Sequence, residues 1–565
     1  MVVDTRPQVD QSARLLAGAA VQAKGVDDET TASASRQAAL ANLERDNHGH
    51  PDFPLAVSAR NDHPDLCLFL LSHGADPNRA MGGTRATPVM ISAQHGHTDV
   101  LRVLLDAGAD VDCHAVTEST PLIEAAERGY QDVCELLLDG QADVHTTDNE
   151  GRTPLAAAAR SGRVKLVQTL LDHDAQVGDT PLSAAGPITV AARAGHEAIV
   201  QLLIQVEQGR GGDMIKGSDR SGGSSSNGDG GDSSTAGSQP TGQREGAAMY
   251  WASRKGHLNI VRLLLGAHFC PSHAAAAGMT GLTVASERGH ATIVKALLDA
   301  GASTDAVDDS GASALHFAAQ EGHTAIVQLL INAGARSNDP DFYGITPLIS
   351  ASVHRHNDVV RALLLAGADP NQSFRNGTTP VLIAARSGHA DLVRSLIHGG
   401  ADVDLCGAEG ATPVFMAALK EHVAALRLLI DAGAGVDTVA DNGWTPLLAA
   451  CYGHGSAQVV RLLLAAGCAT EARSPDNETA LHLAGMRGLV SCTRDLLSAG
   501  ADVDAVDTEG NTALLNACRA GHYRIVALLL SAGADLNASG PGGTAMEEAV
   551  VNKDVNAVAM LEKLG

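Results

Sequence analysis

TPVLIAARSGHADLVRSLIHGGAD, residues 379–402, spells out one structural unit in the order of its residues. Thr379 and Pro380 open it. A Thr hydroxyl accepts a hydrogen bond from the free amides of a first helical turn, and Pro is pre-set for the first helical position, where it has no amide to leave unpaired. Ala384 and Ala385 supply small side chains for close helix contact. Gly388 ends this first helix, because glycine enters the left-handed region without a Cβ penalty. His389 follows, and Leu392, Val393, Leu396 and Ile397 recur at the spacing that puts one apolar stripe on a second helix. Gly400, Ala401 and Asp402 then turn the chain. Two helices this short cannot bury their apolar faces alone, so the unit requires neighbours.

Those neighbours are present. Thr87, Thr120, Thr153 and Gly186 hold the slot of Thr379 at steps of 33 residues, and Ala247, Thr280, Ser313, Thr346, Thr379, Thr412 and Thr445 do so again. Small slips carry the series to Thr479, Thr512 and Thr544, and it reaches back to Phe53, giving 15 units. A period of this length is the signature of a stacked solenoid, and 565 residues exceed what one hydrophobic core holds. Hydrophobic residues at 44% with aromatics at only 2% favour thin, closely packed helices over a large layered core.

Thr-Pro-Leu begins at Thr120, Thr153, Thr346 and Thr445, and Ala-rich segments with a Gly-His or similar turn follow in most units. In these motifs the chain resembles the ankyrin-repeat family, over about Phe53 to Gly565 apart from one insert. The resemblance implies an all-α fold, an ankyrin-repeat α-solenoid of about 15 helix-turn-helix units joined by projecting β-hairpin fingers. It implies protein partners, met by a concave groove and by finger tips, and it implies no reaction.

The repeat pattern divides the chain. Residues 1–51 are expected to form an N-terminal tail, with a helix around 33–45 able to cap the first repeat. Residues 52–205 form a first array and 246–565 a second. Between them, 206–245 lose apolar periodicity and read as a flexible Ser/Gly-rich insert. Thr180-Pro181-Leu182 falls out of register and reads as finger or loop. One extra residue near Tyr452-Gly453-His454-Gly455 is expected to bulge a turn between helices. Val555, Val558, Met560, Leu561 and Leu564 suit a closing helix with one wet face.

Charge and cysteine usage bound the partners. A formal charge of -25, from Lys+Arg 40 and Asp+Glu 65, opposes binding to nucleic acid or anionic membrane. Nine scattered Cys with no CxxC pair fit a reducing compartment. The first residues do not form a secretory signal, and no apolar run approaches the roughly 20 residues that span a bilayer. A monomer in the cytoplasm is expected, with the nucleus as a second location.

Phosphate-binding GxxxxGKS/T, GxSxG and HExxH patterns are absent, so neither an enzyme nor a cofactor site is expected. A ladder of His, including His97, His196, His323, His356, His389 and His422, recurs with the repeat. Neighbouring repeats stack about 8–10 Å apart, whereas zinc ligands lie about 2 Å from one ion. The ladder therefore reads as turn-bridging and no metal site is expected. Cys134, Cys451 and Cys518 fall at apolar helix positions and read as small core residues.

For binding, the family's contact positions are the finger tips and the exposed end of the first helix. The helix-end positions include Arg254, Lys255, Arg288, Arg386 and Lys420, a basic bias in an acidic protein that points to an acidic partner segment. Phe342, Tyr343 and Ile345 lie at one finger tip, Phe374 and Trp444 at or near later ones, and Tyr452 on an adjoining helix end. Exposed aromatics anchor interfaces, and the alternative for these is packing between fingers. Trp251 is expected in the core. The function expected is a non-catalytic scaffold or adaptor. The alternative is a substrate-recognition or targeting subunit of an enzyme complex such as ubiquitin transfer, which would need a separate chain to act.

Overall fold

The structure, a computed structural model, describes residues 53–178, 186–210, 241–374 and 376–564. Among these, thirty α-helices run as fifteen consecutive pairs, from Pro54–Arg60 with Pro64–Ser72 to Ala545–Val551 with Val555–Leu564. The expected all-α repeat architecture is present. Within each of two compact units, first helices pack on the first helices of adjacent pairs and second helices on second helices. The chain divides into two compact units, Met1–Phe269 and Cys270–Gly565.

The pair at Thr379 shows why the sequence folds this way. Thr379 Oγ1 accepts from the Leu382 amide at 3.4 Å, Pro380–Ser387 is helical, and Gly388 closes the helix at φ 75°. Ala390–His398 follows, with Leu392, Val393 and Leu396 buried. Each such side chain contributes about 1.5–3 kcal/mol by leaving water, and every one of them needs the next repeat as its cover. The His ladder supplies a polar tie between pairs. The Nε2 of His323, His356 and His422 lies 3.2, 2.9 and 3.1 Å from the carbonyl oxygens of Glu287, Gln320 and Arg386. Cys134, Cys451 and Cys518 are fully buried, and burial pushes the thiols of Cys134 and Cys518 up to about 12.

The fingers are short hairpin turns with little regular strand. Among the described residues a paired strand forms only at Ser539–Gly540 with Gly543–Thr544, and single bridges occur at Ala274 with Thr280, Val307 with Ser313, and Val506 with Thr512. Elsewhere one backbone bond closes the finger, as from the Asp341 amide to the Ile345 carbonyl at 2.9 Å, and side chains reinforce it. Asp341 Oδ1 accepts from the amides of Tyr343 at 2.9 Å and Ile345 at 2.8 Å, and Asp308 holds Ser310 and Ala312 in the same way. Successive fingers are tied by backbone bonds, such as the Phe342 amide to the Ser310 carbonyl at 2.9 Å, and by side chains at their bases. The amides of Asp369, Asp402 and Gly435 donate to Asn338, Asn371 and Asp404 at 2.8, 2.7 and 2.8 Å.

In the first unit, the helices Glu197–Arg210 and Thr241–Lys255 extend into the two ends of the Ser/Gly-rich stretch. Pro187–Ala194 packs against Thr241–Lys255, and the His257 ring lies over Gly195 as a His does between directly adjoining repeats. The helix expected around 33–45, Thr180, and residues 211–240 lie outside the described residues. In the second unit the extra residue widens one turn: Pro446–Tyr452 ends at Gly453, and the next helix starts at Ala457. At the C-terminal end Ala557 and Leu561 form the buried stripe, while Val555 is exposed because it starts the helix beyond the reach of the preceding pair.

Candidate functional site

A cavity of about 650 Å³ opens across the pairs at Thr379, Thr412 and Thr445 in the second unit. Its apolar floor comes from Phe415, Met416, Leu419 and Trp444, with Leu382 on one flank and Tyr452 on the other. Met416 in the pair at Thr412 corresponds to Ala449 one repeat later, and the smaller side chain leaves the space that the Trp444 and Phe415 rings border. Trp444 and Tyr452 meet edge to face, with centroids 4.9 Å apart and planes at 74°. The Arg487 guanidinium stacks on the far side of Tyr452 at 5.3 Å and donates to the Gly453 carbonyl at 2.8 Å. The widened turn at Gly453 thus supplies the acceptor that fixes this aromatic pair.

The structure brings some of the sequence candidates together and not others. Trp444, Tyr452, Arg386 and Lys420 line the one cavity. Phe342 and Tyr343 stand apart from its lining at an earlier finger tip, 63% and 61% exposed. Phe342 also leans on the preceding finger, where its ring occupies the space a Cβ on Gly311 would need. The ring thus packs between fingers and still faces solvent. Ile345 and Phe374 are half-buried, and the Ile345 carbonyl accepts from His316 Nε2 at 3.0 Å, so this backbone belongs to the repeat interface.

The helix-end cations sort just as clearly. In the first unit Arg254 donates to the Tyr250 hydroxyl at 2.7 Å and lies over the Tyr250 and Trp251 rings at 5.8 and 5.4 Å. Trp251, expected in the core, is half-buried instead, since Arg193 covers it as well at 5.2 Å. Lys255 beside it is exposed. In the second unit Arg288 pairs with Glu287 at 3.3 Å and Arg519 with Glu548 at 2.7 Å. Arg386 and Lys420 are exposed, and neither has a carboxylate within ion-pair distance among the described residues. These two are the cations on the cavity rim, and Glu409 lines its finger side.

The floor residues Phe415, Met416 and Leu419 were not among the sequence candidates. The signal was there: Phe-Met stands where Thr153 and Thr445 are followed by Ala-Ala and Leu-Ala. Among the described residues no group of three or more His, Cys, Asp or Glu is placed to hold a metal ion. No helix among them is long and apolar enough to cross a membrane.

A fold of stacked helix pairs joined by short fingers defines a repeat protein. The family Ankyrin repeats (3 copies) matches in overlapping stretches, among them 53–148, 140–210, 183–308, 282–374, 363–439, 426–507 and 481–564, so the chain belongs to the ankyrin-repeat family. Ankyrin repeats are generally protein–protein interaction modules. No curated protein matches the chain.

Proposed function

We propose that this chain is a non-catalytic scaffold or adaptor that holds protein partners on the finger and first-helix-end side of its second unit. The carrying observation is the cavity lined by buried Phe415 and by the partly exposed Met416 and Trp444, flanked by the half-exposed Tyr452. Clustered aromatic and Met side chains are the residue types that dominate protein interfaces. Its rim cations favour a partner segment with acidic residues. The formal charge of -25 disfavours nucleic acid as the partner. Cys134, Cys451 and Cys518 are buried in the repeat core, and His323, His356 and His422 bridge repeats, which supports a role without turnover or cofactor. We place this monomer in the cytoplasm, with access to the nucleus, on its scattered free thiols.

The test is affinity capture by the full chain, compared with a variant carrying Phe342→Ala, Tyr343→Ala and Trp444→Ala whose helicity is checked by circular dichroism. Partners bound by the parent and lost by the variant support the proposal. The same partners on both proteins contradict it.

A further inference from the structure

We infer that the cavity across the pairs at Thr379, Thr412 and Thr445 is a docking site for a short extended protein segment in which one bulky apolar residue is flanked by acidic ones. This rests on the protein-binding reading and adds the chemistry of the ligand.

Three observations converge on it. First, the floor is an anchor pocket: Ala449 leaves a gap that Phe415, Met416 and Trp444 border, and about 650 Å³ accommodates one large side chain with its backbone. Pockets of about 300–1,000 Å³ with a few placed polar groups are the ordinary size of a recognition site. Second, of the first-helix-end cations in this unit, the two that hold no carboxylate or ring fall at the cavity. Arg288 and Arg519 hold carboxylates of their own chain and Arg487 is spent on Tyr452 and Gly453. Arg386 and Lys420 hold none and lie on the rim. An exposed cation beside an apolar floor attracts a carboxylate most effectively once a docked segment has displaced the water between them.

Third, the lining spans three repeats. At about 8–10 Å per repeat that is on the order of 20 Å, more than one side chain covers. An extended segment rising about 3.3 Å per residue crosses it in roughly six residues. The rim also sets an orientation. Arg386 and Lys420 come from first-helix ends, whereas Glu409 and Asn442 come from fingers. The acidic side chains of the segment therefore face the helix ends, and its finger-facing positions are neutral. The chain's formal charge of -25 repels an acidic segment at long range, so attraction acts locally, where a Debye length of about 8 Å at physiological salt screens the remainder.

The experiment is fluorescence polarisation with the full chain and labelled pools of eight-residue peptides. One pool has a central Leu, Phe or Trp flanked by Asp and Glu, a second replaces the acids by Lys, and a third replaces the anchor by Ser. The inference predicts binding of the first pool alone. It predicts at least about a ten-fold loss in the variant carrying Arg386→Glu and Lys420→Glu, as expected for close complementary charges. Ala408→Trp, at an exposed position on the cavity wall, is predicted to block binding without loss of helicity. Equal binding of the Lys pool, or binding unchanged by the charge reversal, overturns the inference. Failure of every pool while partners still depend on Phe342 and Tyr343 overturns it too, and leaves the broader protein-binding reading standing.

Discussion

The His356 ring lies directly over Gly322 and its Nε2 is 2.9 Å from the Gln320 carbonyl oxygen, so one side chain closes both the turn and the first-helix end of the preceding repeat. Gly322 stands at φ 77°, and a Cβ there would sit 2.5 Å from the ring. Gly322→Ala is expected to cost about 2 kcal/mol or more, from left-handed strain plus the displaced ring. Gly334, at φ 89° with nothing within 4 Å, provides the strain alone. Urea melts of both Ala variants should show the larger loss at Gly322, and equal losses would mean that the ring contact adds nothing.

Arg355 holds the slot of Gly322 one repeat later, also left-handed at φ 68°. Here a Cβ occupies the position left open at Gly322, and the buried His389 Nε2 has no hydrogen-bond partner. Burial first, and then the Arg355 and His422 charges, lower the affinity of His389 for a proton. Arg355→Gly should therefore stabilise the second unit by about 1 kcal/mol, by releasing backbone strain and freeing the ring to bond. A lower melting temperature would contradict this.

His316 and His482 are buried inside capping boxes, where Nδ1 accepts from the amides of Ser313 and Thr479 at 3.1 Å. Burial lowers both below the ordinary 6.5. The unfolded chain takes up protons as pH falls through about 6.5, while the folded rings resist. Stability present above that pH is thus lost as pH drops toward the folded values. Substituting both by Gln, which can serve the same capping position, should flatten the fall in melting temperature between pH 7.5 and 5.5. An unchanged slope would show that other groups set it.

The fold was legible because its determinants are local. Thr379, Pro380 and Gly388 fix helix ends through their own backbone chemistry, and the repeat multiplied that signal fifteen times. The fingers were less so: Asp341 and Asn338 reinforce the few backbone bonds there, and a carboxylate's choice between solvent and its own loop is a tertiary outcome. At the candidate site, Trp444 and Tyr452 stood out by scarcity. The cavity beneath them did not, since it arises from a size difference between Met416 and Ala449 in adjacent repeats. Arg254 illustrates a readable signal passed over: Tyr250 lies four residues before it on the same helix, the spacing at which side chains meet.

Glu548 is buried at the C-terminal end with its carboxylate held by Arg519 Nε at 3.0 Å and Nη2 at 2.7 Å. Arg519→Met would strand that charge. With the Arg side chain itself 42% exposed, water moderates the penalty, and a loss of about 2 kcal/mol is expected. The paired change Arg519→Met with Glu548→Leu should recover much of it, and failure of that rescue would place the cost in packing.

The most direct test of protein binding through this face is photo-crosslinking with benzoylphenylalanine placed separately at Tyr343, at Tyr452 and at Arg427. Tyr343 and Tyr452 are exposed on the finger and helix-end side, whereas Arg427 is exposed on the second helix of the pair at Thr412. The account predicts discrete protein adducts from the first two positions and none from Arg427. Adducts from Arg427 alone would put the binding surface on the second helices and contradict it.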